Sequence, residues 1–378
     1  MTPTTSERLE HPYRSTAYVA GLTHGLYRYP ARFSPGLVAA AVDAFTVRND
    51  VVLDPFVGGG TSAVESLARG RRFVGFDLNP LAILLTQVKT DPLTRAEVRE
   101  LQSWVVTAHP QSGLDLTDVR LRNAPADLVL GLAPYLASVA NLSTPRAQRA
   151  ARALLLDVAQ WAVDGKQAHA PSEALPGALL RSFSRFRDGM AELVEVGAAH
   201  GIHPSDFPVR RTLRLGPAEF VAASRPLNRH VGRVKLVVTS PPYPGVHVLY
   251  HRWQVRGRTE TPMAYWLADA NDGLGPKHYT MGGRSSIGEG AYFAGIRATW
   301  ASVRRLLRDD ALVLQLVAFT DAEAQLPRYL ETLGEAGFSH RPDLEPEGWR
   351  DVPNRRWYYR VQPARGSATE RLIVHEPN

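Results

Sequence analysis

The run from Val51 to Asp77 constrains the fold of this chain more than any other stretch. Val51-Val52-Leu53 is a short apolar run, and Asp54-Pro55-Phe56-Val57-Gly58-Gly59-Gly60-Thr61 is a glycine loop. Ser62 to Ala68 has helical character, and Arg71 to Asp77 is a second apolar run with an acid at its tip. Strand, glycine loop, helix and strand make the βαβ unit of a nucleotide-binding half-sheet. Gly58 and Gly60 remove side chains where the backbone must turn tightly and lie against a ligand. Asp77 stands where a carboxylate accepts hydrogen bonds from ribose hydroxyls.

Two ligand classes remain open at this point. Gly58, Gly60 and Ala63 satisfy the loose fingerprint G-x-G-x-x-G/A, so a nicotinamide or flavin enzyme is a rival reading. Asp54 shifts the balance, because an acid ahead of the glycines repels a pyrophosphate but pairs with an ammonium group. The loop therefore suits an amino-acid-bearing nucleoside better.

A second stretch is as rigid as the first. Val234-Lys235-Leu236-Val237-Val238-Thr239 reads as a buried strand, and it ends in Ser240-Pro241-Pro242-Tyr243. Proline fixes its own φ and restricts the residue before it, so Ser240 and Pro241 are held extended. The corner offers one hydroxyl, backbone carbonyls and an aromatic ring at a sheet's carboxyl edge, where open α/β sheets place their chemistry. It suits a flat, amine-bearing ring. A strand-ending turn with a packed tyrosine is the plainer alternative.

Between these stretches the pattern changes. Residues 91–205 read as a mostly helical insertion, with Leu154, Leu155, Val158 and Trp161, and then Leu179, Phe183, Phe186, Met190 and Leu193, at helical spacing. Arg146, Arg149 and Arg152 step by three along one helix face, which is either solvated or turned to phosphates. Earlier, Leu37 to Phe45 is expected to be helical, with Ser34 as its cap and Pro35 in its first turn. Arg211 to Leu215, Ala311 to Val317 and a closing hairpin of Arg356–Val361 with Glu370–Val374 are expected strands; Tyr292–Leu307 and Leu326–Ala336 are expected helices. The chain thus divides into 1–90, the cofactor half; 91–205, the insertion; and 206–378, the catalytic half with a recognition loop at 246–290.

Composition removes several functions. The chain has no cysteine, so disulfides, thiolate metal sites and a cysteine nucleophile are excluded. No apolar run approaches a membrane span and Met1-Thr2-Pro3-Thr4-Thr5 lacks a signal-peptide core, so a cytoplasmic protein is expected. The net charge of +7 permits attraction to a polyanion without establishing it. Arg252, Arg256 and Arg258, interleaved with Tyr250 and Trp253, suit stacking and phosphate contact together; the start of an amphipathic helix is the alternative.

Taken together, Asp54-Pro55-Phe56-x-Gly58-x-Gly60-Thr61, Asp77-Leu78-Asn79-Pro80 and Thr239-Ser240-Pro241-Pro242-Tyr243 resemble the amino-methyltransferases of DNA, most closely the cytosine-N4 branch. The resemblance covers roughly 24–90 and 206–378, and leaves the insertion unmatched. It implies a Rossmann-like methyltransferase sheet of the α/β class, mostly parallel with a C-terminal antiparallel hairpin, and S-adenosyl-L-methionine as cofactor. Tyr29 and Pro30 would line the methionine end, while Pro55, Phe56, Gly58, Gly60 and Thr61 would wrap the cofactor. Asp54 would meet its ammonium group directly or through water, Asp77 its ribose, and Leu78 and Asn79 its adenine. Ser240 and the Pro241 carbonyl would accept from the target's exocyclic amine, with Pro242 stiffening the corner and Tyr243 stacking on the base. The turn Gly216-Pro217-Ala218 departs from the family, whose members commonly carry a polar residue there.

The resemblance further implies double-stranded DNA as partner, no metal, and a monomer or homodimer in a restriction-modification setting. A serine at the head of the motif favours cytosine N4, with adenine N6 as the alternative and an RNA base behind it. Methylation at cytosine carbon 5 needs a thiolate adding to the ring, and this chain has none.

Overall fold

The structure is a computed structural model, and it describes residues 5–15, 20–29, 33–107, 115–244, 252–257, 259–272, 281, 286–319, 321–351 and 369–378. Pro30, Arg258, Tyr250, most of the glycine-rich stretch after Asp272 and the Arg356–Val361 arm of the expected hairpin lie outside the described residues.

In chain order the strands are β1 (Val51–Asp54), β2 (Arg72–Asp77), β3 (Arg211–Leu215), β4 (Val234–Thr239), β5 (Trp253–Val255), β6 (Thr259–Thr261), β7 (Leu307–Val317), β8 (Phe338–His340), β9 (Arg350–Asp351) and β10 (Thr369–Pro377). One sheet runs β3-β2-β1-β4-β7-β10-β8, with β9 added beside β10. The pairs from β3 through β7 are all parallel, with Leu53 opposite Val74 on one side and Val237 on the other. β10 runs antiparallel to both β7 and β8, Leu372 facing Leu316 and Glu376 facing Ser339. This is the expected mostly parallel α/β sheet with an antiparallel C-terminal end. The antiparallel partners of β10 among the described residues are β7, β8 and β9.

The central strands β1 and β4 are buried almost throughout because both faces are covered, and the side-chain period of two assigns each residue to a face. Val52, Leu236, Val238, Leu314, Leu316, Leu372 and Val374 enter one core. Val51, Leu53, Val237, Val313, Val317 and Ile373 enter the other. The second core is closed by α12 (Ser286–Arg304) and α13 (Ala322–Glu335), through Tyr292, Ile296, Trp300, Tyr329 and Leu333, and by Leu227 of the short α10 (Arg225–Asn228). The first takes α1 (Thr5–Arg14), α2 (Pro35–Phe45), α3 (Thr61–Ala68) and α4 (Pro80–Lys89). Their starts are legible locally. Ser34 holds the N-cap position of α2 without a side-chain capping bond, with Pro35 at its head, and the Asn79 side chain accepts from the Leu81 N–H ahead of α4.

Residues 95–210 hold α5 (Arg95–Val106), α6 (Ala126–Ser138), α7 (Pro145–Val163), α8 (Leu175–Ala199) and α9 (Asp206–Arg210). Their apolar stripes join the first core directly: Leu154, Val158, Phe183, Phe186 and Leu193 lie in one cluster with Val38, Val64 and Leu85. The arginine row on α7 is half-buried and held by protein acceptors. Arg146 reaches Glu97 at 3.1 Å, Arg149 reaches Asp91 at 3.3 Å, and Arg152 donates to the Leu267 carbonyl at 2.9 Å. These contacts tie α7 to α5, to the end of α4, and to α11 (Met263–Ala268). Among the described residues no helix is long and apolar enough to cross a membrane.

Candidate active site at the carboxyl ends of the strands

The connection from β1 leads to β2 on one side, and β4 later returns to the other side of β1. The crevice at such a reversal is where open α/β sheets hold ligands. It carries both motifs, because Asp54 ends β1 and Ser240 follows β4.

The glycine loop is shaped by its neighbours. Gly60 has φ +78°, and a Cβ there would stand 2.7 Å from the Thr86 hydroxyl of α4. Any other residue would be strained twice, by backbone and by contact. Tyr29, 5% exposed, lays its ring against Gly58 and Gly59; a Cβ on either would meet it at 3.0–3.1 Å. From below, the buried Lys89 donates from Nζ to the Gly59 carbonyl at 2.8 Å. Thr61, itself buried, opens α3. Pro55 is buried and Phe56 half-buried.

Asp77 accepts from the Gly58 N–H at 2.8 Å on Oδ2 and from the Asn79 N–H at 2.8 Å on Oδ1. It is half-buried, like Leu78 beside it, and each carboxylate oxygen keeps acceptor capacity for a diol. Those features fit the ribose role. The Gly216 N–H donates to the Asp77 carbonyl at 2.9 Å, so the turn that departs from the family pattern lies next to this acid. Asn79 is buried, and besides capping α4 it donates to the Tyr265 hydroxyl at 3.2 Å.

Asp54, expected to meet an ammonium group directly or through water, is held by protein donors. It is 4% exposed, and its oxygens accept from the Phe56 N–H at 3.0 Å, from Thr239 Oγ1 at 2.6 Å and from Ser62 Oγ. It therefore ties β1, α3 and β4 into one frame. The Thr239 bond fastens the strand that leads into Ser240 to the strand that leads into the glycine loop.

Ser240 is half-buried, and its Oγ lies 3.0 Å from the Tyr243 hydroxyl. Pro241 is buried, and the Pro242 carbonyl accepts from Tyr292 of α12 at 3.0 Å. Tyr243 is 8% exposed and donates to Glu370 Oε1 on β10 at 3.0 Å. A ring so covered presents little surface to a base in this conformation.

The arginine-aromatic segment is a small hairpin, β5 with β6, followed by α11. Trp253 is core: it is 2% exposed, and its indole N–H donates to Tyr27 Oη at 3.0 Å. Arg252 is 7% exposed and paired with Asp272, which corrects its expected place on a DNA-facing surface. A guanidinium held by a carboxylate inside the protein braces the hairpin. Arg256, exposed in the turn with φ +52°, keeps a position open to a phosphate.

Three groups escaped the sequence reading. Asp157 and Gln160, one helical turn apart on α7, accept from the N–H groups of Tyr27 and Arg28, each at 3.0 Å. They hold the segment that delivers Tyr29 to the loop, and only the i, i+3 spacing hints at it. Glu370 lies 127 residues from the tyrosine it holds, with no local signal.

Burial pushes the carboxyls of Asp54 and Asp77 up to about 6, against the opposing pull of the hydrogen bonds they accept. A folded value above the unfolded one stabilises the empty protein most below the unfolded value, and that gain is lost as pH rises through about 6. A cationic nucleoside prefers the ionised pair, so its binding has the opposite slope. The rise in melting temperature given by S-adenosyl-L-methionine should grow between pH 5 and pH 7. A constant rise over that range in thermal-shift titrations would contradict the assignment.

The family model described as DNA methylase matches residues 6–87. The Type II methyltransferase M.MvaI of Kocuria varians is 39% identical over 75 residues, 19% of this chain and 16% of that protein. The Type II methyltransferase M.MjaII of Methanocaldococcus jannaschii is 30% identical over 79 residues, 21% of this chain and 14% of that protein. The match thus spans about one seventh of these relatives' length. Among solved structures, a TehB-like SAM-dependent methyltransferase from Corynebacterium glutamicum aligns over 90% of this chain and 87% of its own, with 11% identity and a TM-score of 0.33. TrmN from Thermus thermophilus aligns over 94% of this chain and 52% of its own, with 13% identity and a TM-score of 0.35. The part of the chain that matches the DNA methylase family model, residues 6–87, is the part that carries Tyr29, the glycine loop and Asp77.

Proposed function

We infer that this protein transfers a methyl group from S-adenosyl-L-methionine to an exocyclic amine of a base in double-stranded DNA, with cytosine N4 as the target. The observation that carries this reading is the bond from Thr239 Oγ1 to Asp54, which joins the glycine loop to the Ser240 corner. A donor site and an acceptor site on one rigid edge are what a direct group transfer requires.

The bound cofactor supplies an electrophilic methyl on a sulfonium. The residues do the rest by position. Asp77 and the loop of Gly58 and Gly60 would hold the nucleoside, with Leu78 and Asn79 at its base. Tyr29 would close the methionine end. Ser240 Oγ and the Pro241 carbonyl would accept the two amine protons, drawing the nitrogen lone pair out of the ring and towards the methyl. An amine inside a duplex must first be flipped out, at a cost of a few kcal/mol. Stacking on Tyr243 would offset part of this. Arg256 would add a phosphate contact.

The serine at the head of the motif supports cytosine over adenine, and a partner restriction enzyme is part of the same proposal. Incubation with S-adenosyl-L-methionine and unmethylated mixed-sequence duplex DNA, digestion to nucleosides and mass spectrometry should yield N4-methylcytosine. N6-methyladenine would replace the base assignment. Methylation of RNA with none of DNA would overturn the reading.

A further inference from the structure

We propose that Glu370 is a positioning residue for this transfer, acting through Tyr243 to fix the polarity of the Ser240 hydroxyl; the inference rests on the function proposed above. Three oxygens form a chain, with Ser240 Oγ 3.0 Å from Tyr243 Oη and Tyr243 Oη 3.0 Å from Glu370 Oε1. An ionised carboxylate only accepts hydrogen bonds, and a phenol carries one proton. That proton goes to Glu370. Tyr243 Oη is then an acceptor towards Ser240, which spends its own single proton there. The outward lone pairs of Ser240 Oγ are left to accept, as an incoming amine requires. The reversed arrangement would aim the serine proton at the amine lone pair and compete with the methyl for it.

The surroundings pair Glu370 with a cation and hold it in place. Arg350, opposite it in the β9–β10 register, donates to Oε2 from Nη2 at 2.8 Å and from Nε at 3.3 Å. The two side chains are 12% and 5% exposed, so the pair is little screened. Tyr13 of α1 donates to the Glu370 backbone carbonyl at 2.8 Å, and Arg350 returns a bond to the Tyr13 carbonyl at 2.6 Å. The first helix and the last strand are thus both fastened behind the corner. In this account Tyr243 owes its burial to its hydroxyl.

The test uses the full chain with S-adenosyl-L-methionine and mixed-sequence duplex DNA, the methylated nucleoside being quantified by mass spectrometry. Tyr243→Phe keeps the ring and removes the link. It should lower kcat by about 10- to 100-fold while leaving KM for DNA and cofactor affinity within about twofold. Glu370→Gln should lower kcat similarly, and the double variant should be no slower than the slower single one, because both act through Ser240. Unchanged kcat in Tyr243→Phe, or losses that multiply in the double variant, would overturn the proposal. Tyr243→Phe keeps the test decisive even if Glu370→Gln unfolds beside Arg350. A wild-type chain that methylates no DNA would instead sink the function itself, so the two failures are distinguishable.

Discussion

Asp77→Ala is expected to weaken S-adenosyl-L-methionine binding by about 100-fold or more, measured by calorimetry. Two losses add. A hydrogen bond to a charged group contributes roughly 1.5–3 kcal/mol, and a tenfold change in affinity is about 1.4 kcal/mol. Beyond the ribose contacts, the variant frees the N–H groups of Gly58 and Asn79, both now held at 2.8 Å. The loop that wraps the cofactor and the cap that starts α4 loosen together. Tyr243→Ala, by contrast, should leave cofactor binding within about twofold and weaken turnover, because that side chain is tied to Ser240 and Glu370. Equal cofactor loss in the two variants would refute the division of labour between the strand tips.

Gly189→Ala should be the most destabilising single methyl in the helical segment, by roughly 3 kcal/mol. A Cβ at Gly189 would stand 1.9 Å from the Leu22 carbonyl oxygen, which is backbone and has no rotamer to escape by. Residues 185, 189 and 192 of α8 form one clasp on the turn at 22–25. Arg185 donates to the Gly25 carbonyl at 3.1 Å, and Glu192 accepts from the Leu22 N–H at 2.6 Å. The same turn carries His24, 2.6 Å from Glu65 of α3, and Thr23, which donates to the Lys89 carbonyl at 2.8 Å. Pushing it outward disturbs the helix behind the glycine loop. Calorimetric unfolding should show a melting temperature lower by several degrees. Gly177→Ala on the same helix is the control, since its Cβ would meet only the Arg181 side chain at 3.4 Å. That variant should be neutral or slightly stabilising, because alanine is the better helix former. A full-strength Gly189→Ala protein would contradict the clasp.

The parallel sheet was legible because its determinants are local. Val51 to Asp77 contains strand, turn and helix in unbroken order, and the Pro241-Pro242 pair ends a strand by stereochemistry alone. Ser34-Pro35 and Asn79-Pro80 announce helices in the same way. What escaped is pairing across distance. Nothing near Glu370 marks it as the partner of Tyr243, and nothing in the row Arg146, Arg149, Arg152 shows that Glu97, Asp91 and the Leu267 carbonyl await it. Charge patterns suggest a face but not what lies opposite. Arg252 and Trp253 misled for that reason, since an arginine beside an aromatic reads alike on a surface and in a core. Asp54 was read correctly as an acid at the loop, yet its three donors come from Phe56, Ser62 and Thr239, and the last is 185 residues away.

Under the proposed function, the bond between Asp54 and Thr239 also joins the two ligand sites. A hydrogen bond common to two binding sites is a path for coupling free energy, and such coupling is reciprocal. Whatever factor the methyl donor contributes to the affinity for DNA, DNA returns to the affinity for the donor. Under the proposed function, retention of the spent cofactor and release of the modified duplex would be coupled across a single carboxylate.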